Sequence, residues 1–271
     1  MIKLRAEQEI NEYQRDIKNN RFFMMDSFEE ELKYISHNKK RYISALREID
    51  KLISKFKKHY IYILDIGTSP FTFILRKRYK NVQIYSIDYS NKFKELCESK
   101  RVHFKKVDLN KEKISFRKIK FNLIVFLEVL EHLNTNHKKV IKNVGQAMST
   151  NGFCILQTPN KYSPKAIVAA ILFDNVWNKL SKPPVKGDEF THAKEYSLNE
   201  LSWLIKKNDN FKIIKKEHSM YFDEIDSALV YRKYAKLFKP LIRINYLITK
   251  NIRFLRRGMQ VIFQKVKHET I

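Results

Sequence analysis

A chain of 271 residues with 44% hydrophobic content can bury one substantial core, which excludes disorder throughout and makes one domain with elaborations the natural expectation. Two cysteines, Cys97 and Cys154, make no disulfide framework and read as packing residues of a reducing compartment. A formal charge of +25, from 54 Lys+Arg against 29 Asp+Glu, would attract nucleic acid, anionic lipid or an acidic substrate, or else records a drift toward lysine over the whole surface.

Met1 to Ile10 is charged and lacks an apolar stretch of signal-peptide type. The longest apolar run, Ala166 to Phe173, is far too short to cross a bilayer. The expectation is a cytoplasmic protein, neither secreted nor membrane-spanning.

From Phe28 to Lys58 the pattern is helical, with Tyr42, Leu46, Ile49, Ile53 and Phe56 four and three apart on one face, and Ser27 with Glu30 makes a capping box at its start. The stripe serves either packing on a following domain or a dimer contact. Residues 1–58 are therefore expected as an N-terminal helical extension and residues 59–271 as the main domain. Oligomeric state is left open.

Tyr60 to Ile66 is a β-branched and aromatic run, followed by Gly67-Thr68-Ser69-Pro70 and a helical pattern, so the turn lies between a strand and a helix. Ser69 suits an N-cap and Pro70 the first helical position, and the backbone N–H groups of that helix start are expected to face an anionic ligand group. Gly67 would let a ligand approach the backbone. Asp88 ends the next run, Val82 to Ile87, where an acidic side chain can accept from ribose hydroxyls. The two residues alone equally suit a tight turn and a helix cap.

Further runs, Val102 to Val107, Phe121 to Leu127 and Phe153 to Gln157, alternate with helical stretches, as in a parallel α/β sheet. Ser197 with Glu200 opens another helix through a capping box. Phe211 to Lys216 and Met259 to Val266 read as the last strands. Residues 161–195 and 231–257 fit the alternation poorly and are expected as helical insertions. In the second, Leu237, Leu241, Ile248 and Ile252 lie among Lys239, Arg243, Lys250 and Arg253, and Pro240 is expected to divide it into two helices. Such a basic amphipathic stretch either lies on an anionic membrane, at the inner face, or covers the substrate side of the core.

With Phe121-Asn122-Leu123-Ile124-Val125-Phe126-Leu127-Glu128-Val129-Leu130-Glu131-His132-Leu133, the chain resembles the class I S-adenosylmethionine-dependent methyltransferases. Gly152 to Asn160, ending Thr158-Pro159-Asn160, is similar to that family's fifth strand, and His192-Ala193-Lys194-Glu195-Tyr196-Ser197 resembles the opening of its next helix. The resemblance implies a Rossmann-like α/β fold: a seven-stranded, mostly parallel sheet flanked by helices, with S-adenosylmethionine across the carboxyl ends of the first strands. It implies that Asp65 and Gly67 border the methionine moiety, Asp88 the ribose, Asp108 and Leu109 the adenine, and Glu128 the sulfonium, with Thr68 also among the cofactor-binding residues. Ser69 and Phe71 stand where the family usually has glycine, which predicts a bulkier cradle. A nicotinamide site would want Gly-x-Gly-x-x-Gly, and this turn carries one glycine.

For a hydroxyl acceptor a base is needed, and the ordinary pKa of histidine suits that role. His132 is the first candidate and His192 the second. Glu128, Glu131, His132 and His192 also resemble the arrangement with which some quinone-pathway and small-RNA-end O-methyltransferases hold a divalent ion, so metal dependence is left open. The expected acceptor is a small molecule, a sugar or a lipid-linked group. The alternatives are 2′-O-methylation of RNA, and a membrane-surface or cofactor-binding adaptor without catalysis.

Overall fold

The computed structural model describes residues 2–20, 24–25, 27–56, 60–164, 193–208, 210–219 and 239–267. The seven β-branched and aromatic runs become seven strands: β1 (Tyr62–Ile66), β2 (Gln83–Asp88), β3 (His103–Lys106), β4 (Phe121–Leu127), β5 (Met148–Pro159), β6 (Phe211–Ser219) and β7 (Gly258–Lys265). They form one sheet in the order β3-β2-β1-β4-β5-β7-β6. β7 runs antiparallel to both its neighbours, while the pairs from β3 to β5 are parallel. The expected seven-stranded, mostly parallel sheet is present.

Seven helices accompany it among the described residues: α1 (Ile2–Asn20), α2 (Phe28–Ile53), α3 (Pro70–Arg78), α4 (Lys94–Ser99), α5 (His137–Ala147), α6 (Leu198–Lys206) and α7 (Lys239–Asn251). Ser27 Oγ accepts from Glu30 N–H to start α2, and Ser197 with Glu200 closes a complete capping box on α6. α2 ends at Ile53, short of the expected Lys58. Pro240 is the second residue of α7, where a ring without N–H is tolerated; residues 231–238, on the far side of the expected break, lie outside the described residues.

The two sheet faces carry separate cores. Ile63, Val125 and Ile155 face Tyr42, Leu46 and Ile49 of α2 with Phe71 and Ile74 of α3. Leu64, Phe126 and Leu156 face Val140 and Ile141 of α5 with Leu201 and Ile205 of α6. The apolar stripe of α2 is thus spent on packing within the chain, each buried side chain contributing about 2 kcal/mol. α1 adds Ala6, Ile10, Tyr13 and Ile17 to the same core. Arg78 of α3 ties both N-terminal helices down, pairing with Glu9 of α1 and through two nitrogens with Asp50 of α2 (3.1 and 2.6 Å). The result is a helical layer folded over one face of the sheet.

Candidate active site

Strand order alone aligns the sequence-predicted residues. Asp108 lies just beyond β3, Asp88 ends β2, Gly67 follows β1 and Glu128 follows β4, so the four lie along one carboxyl edge in the order β3-β2-β1-β4. Asp88 is half-buried and receives Thr68 N–H on Oδ2 (2.9 Å) and Ser90 N–H on Oδ1 (3.0 Å). Burial raises its pKa, and these backbone donors partly offset that. Asp88 thus braces the turn after β1 and the turn after its own strand, and it does not cap the following helix, whose N-cap position is Phe93. Asp108 Oδ1 accepts from Asn110 N–H (3.0 Å), and Leu109 beside it is buried.

The turn after β1 differs from expectation in an informative way. Gly67 has φ +87, a conformation glycine adopts without strain, and a Cβ there would come within 2.5 Å of Val129 Cγ2. The space a side chain would take belongs to the turn after β4, not to a ligand. The backbone donors are also committed. Gly67 N–H goes to Ile87 O (2.9 Å), Thr68 N–H to Asp88, Ser69 N–H to Thr72 Oγ1 (3.1 Å), Phe71 N–H to Ser69 Oγ (3.2 Å) and Thr72 N–H to Ser69 O (2.9 Å), while Pro70 has none. The expected anion-facing helix start is therefore corrected: the capping box of Ser69 and Thr72 consumes it. Such a turn cannot cradle a pyrophosphate, which argues against a dinucleotide and suits an adenosine cofactor without phosphate.

Ser69 is that cap, and Phe71 is buried with its ring 4.8 Å from Tyr42 of α2. Neither bulks out the turn as their departure from glycine suggests.

Asp65, at the end of β1, is fully buried and accepts from Thr72 Oγ1 at 2.6 Å. Burial pushes its carboxyl up to about 7, with the neighbouring Asp88 charge adding to the rise and Thr72 and Arg41 opposing it. Arg41 was not predicted from sequence. It comes from α2, its side chain is 7% exposed, and its Nη1 stands 3.5 Å from Glu128 Oε2. Glu128 itself adopts φ +54. A non-glycine residue there is uncommon and is held by its N–H to Gln157 O (2.9 Å).

Beyond Glu128 a single 3₁₀ turn, Leu130–His132, carries the remaining motif residues. Glu131 is wholly buried. Its Oε2 accepts from Thr158 Oγ1 (3.0 Å), and its carbonyl accepts from Ala193 N–H (2.6 Å) and Lys194 N–H (3.2 Å). One glutamate thus joins the turn after β4, the Thr158-Pro159-Asn160 end of β5 and the segment before α6. Burial, then the nearby Glu128, raises its pKa well above the ordinary carboxylate value. His132 is partly exposed, with Nε2 3.9 Å from Glu131 Oε1. His192 lies outside the described residues.

Among the described residues no group of three His, Cys, Asp or Glu is placed to hold a metal ion, and His192, the fourth residue of the candidate set, lies outside them. A buried histidine, His137, also escaped the sequence reading. Its Nε2 donates to Leu133 O (2.8 Å), which leaves Nδ1 to accept from Tyr196 O–H (2.5 Å). Asn160 Nδ2 donates to Phe254 O (2.7 Å) and Arg256 O (2.8 Å), fixing the chain before β7.

The sequence model of a methyltransferase domain matches residues 34–216, from within α2 to within β6. Among solved structures, the plantazolicin methyltransferase BpumL in complex with a monoazolic desmethylPZN analog and SAH is 14% identical, over 98% of this chain and 100% of that one, with a TM-score of 0.52. Coclaurine N-methyltransferase bound to N-methylheliamine and SAH is 15% identical, over 81% of this chain and 70% of that one, with a TM-score of 0.51. At these identities the likeness is one of fold. No curated protein sequence matches the chain. The domain match and the order of the seven strands make the chain a member of the class I S-adenosylmethionine-dependent methyltransferase family, a transferase.

Proposed function

We propose that the chain transfers the methyl group of S-adenosylmethionine to an oxygen of a small-molecule, sugar or lipid-linked acceptor. The observation that carries this reading is the carboxyl edge itself, where Asp108, Asp88, Gly67 and Glu128 line up beside a turn whose N–H groups are all committed. When bound, the cofactor supplies an electrophilic methyl on sulfur. In this proposal Asp88 accepts from the ribose hydroxyls, Asp108 and Leu109 flank the adenine, and Asp65, Gly67 and Thr68 border the methionine moiety. Thr68 holds Asp88 in place through its N–H.

Because the helix start has no donors left, the methionine carboxylate needs a cation from elsewhere, and Arg41 is within reach of that end of the cleft. The extension formed by α1 and α2 would then be part of the cofactor site. Glu128 lies nearest the sulfonium, where a carboxylate favours positive charge. His132 takes the acceptor proton as the new bond forms, and most of the rate comes from holding the two reactants in line. His192 is proposed as a second base or orienting group. A cytoplasmic location is proposed as part of the same reading.

Titration calorimetry with S-adenosylmethionine tests the first part, with an expected Kd of about 1–100 µM. A mass-based screen of hydroxylated acceptors tests the second. Absence of heat at millimolar cofactor would sink the site assignment, whereas binding with transfer only to amines would sink the oxygen acceptor.

A further inference from the structure

The last helix presents its apolar side to solvent. In α7, Ile244 is 54% exposed, Leu247 55% and Ile248 40%, and the chain that follows leaves Ile252 at 40% and Phe254 at 56%. Spacings of three and four put the helical three on one face, while Thr249, on the opposite side, is buried. Arg243 and Lys250, seven apart, flank this face, and Arg253 follows in the next turn; all three are exposed. From residue 227 to residue 268 the sequence contains no Asp or Glu.

The patch is also firmly mounted. Asn160 holds the carbonyls of Phe254 and Arg256, and Arg256 in turn donates to Thr249 O (3.4 Å) and Lys250 O (3.2 Å). Asn160 is the first residue after β5, so the patch is anchored at the same end of the sheet as Gly67 and Glu128.

An outward apolar stripe edged by cations, without acidic residues, is complementary to a surface that is apolar within and anionic at its rim. We propose that this face of α7 and the turn after it dock on an anionic phospholipid bilayer. Ile244, Leu247, Ile248 and Phe254 enter the boundary between headgroups and acyl chains. Arg243, Lys250 and Arg253 meet the lipid phosphates. Of the exposed apolar side chains of this patch only Phe254 carries a ring, so successive bases would find no row of stacking planes, which separates this surface from an RNA platform. The inference does not depend on methyl transfer, and cofactor affinity measured on the same proteins keeps the two apart.

The test is co-sedimentation of the full chain with vesicles of phosphatidylcholine, alone or mixed with phosphatidylglycerol. The expected result is binding to the mixed vesicles only. Replacing Ile244, Leu247 and Phe254 together by Ser, which leaves the net charge untouched, should weaken that binding roughly tenfold or more. Changing Arg243, Lys250 and Arg253 to Gln should do the same, with thermal unfolding and S-adenosylmethionine affinity unchanged in both. A tryptophan in place of Phe254 should shift its emission to the blue on mixed vesicles and be quenched by brominated acyl chains. Equal binding by the serine variant would show that the overall charge acts alone and overturn the proposal. So would an unquenched tryptophan, or tighter binding to single-stranded RNA than to mixed vesicles.

Discussion

Arg41 of α2 and Glu128 at the end of β4 stand 3.5 Å apart, with side chains 7% and 16% exposed. The contact joins the N-terminal helices to the edge where the cofactor residues gather. Removing one partner from so buried a pair leaves the other charge uncompensated, so Arg41→Met should lower stability by about 2–3 kcal/mol in urea unfolding. Combining it with Glu128→Gln should cost less than the two single changes together. Arg41→Met should also weaken S-adenosylmethionine binding at least about tenfold, the size of one lost charge-assisted contact. Strict additivity would show that the pair is not coupled, and unchanged affinity would remove Arg41 from the cofactor site.

Asp65 makes stability depend on pH in a direction opposite to that of a salt-bridged carboxylate. Its folded carboxyl, at about 7, lies above the ordinary 3.8, so between these values the folded chain keeps a proton that the unfolded chain has lost. Stability from this group is therefore present below about pH 4 and falls as pH rises toward 7, by up to about 4 kcal/mol. Glu131 is raised as well and slopes the same way. Asp65→Asn, whose amide oxygen can still accept from Thr72, should remove the Asp65 share, visible in the difference between wild-type and variant unfolding at pH 5 and pH 8. A constant difference would refute the assignment.

Gly67 can be tested by separating its two constraints. Gly67→Ala adds a Cβ 2.5 Å from Val129 Cγ2 and places a side chain at φ +87. The contact and the left-handed backbone together should cost about 2–4 kcal/mol. Adding Val129→Ala relieves the contact but not the backbone, so the double variant should recover part of the loss relative to Val129→Ala alone. Full recovery would mean that φ carries no strain.

Much of this was legible because the strands are short, dense in β-branched and aromatic residues, and separated by helical periods. β4 appears at its expected bounds, Phe121–Leu127. β5 was under-read at its start, since Asn151 at φ +61 and Gly152 interrupt a strand that nonetheless begins at Met148. α1 carried a signal, Ala6, Ile10, Tyr13 and Ile17 at helical spacing, that the surrounding charges obscured. Within the site, motif residues fell at the correct strand ends because strand order fixes them. Arg41 and the His137–Tyr196 pair were not legible: one charged residue on a charged helix face, and two polar residues 59 positions apart, become partners only through packing.

His132 and Glu131 offer the sharpest test of the chemistry. If His132 takes the acceptor proton, His132→Gln should lower kcat about 10²–10⁴-fold, with cofactor Kd and unfolding midpoint nearly unchanged, because its side chain is 30% exposed and holds little of the core. Glu131 is buried and accepts from Thr158 Oγ1, so Glu131→Gln, whose amide oxygen can still accept there, should leave kcat within a few-fold. A metal site built on the same two residues predicts a different pattern, in which Glu131→Gln abolishes turnover as completely as His132→Gln and chelation does the same. Loss of kcat in the histidine variant alone, with activity surviving chelation, is the expected outcome. An undiminished kcat in His132→Gln would make this histidine a packing residue and move the proton to another group.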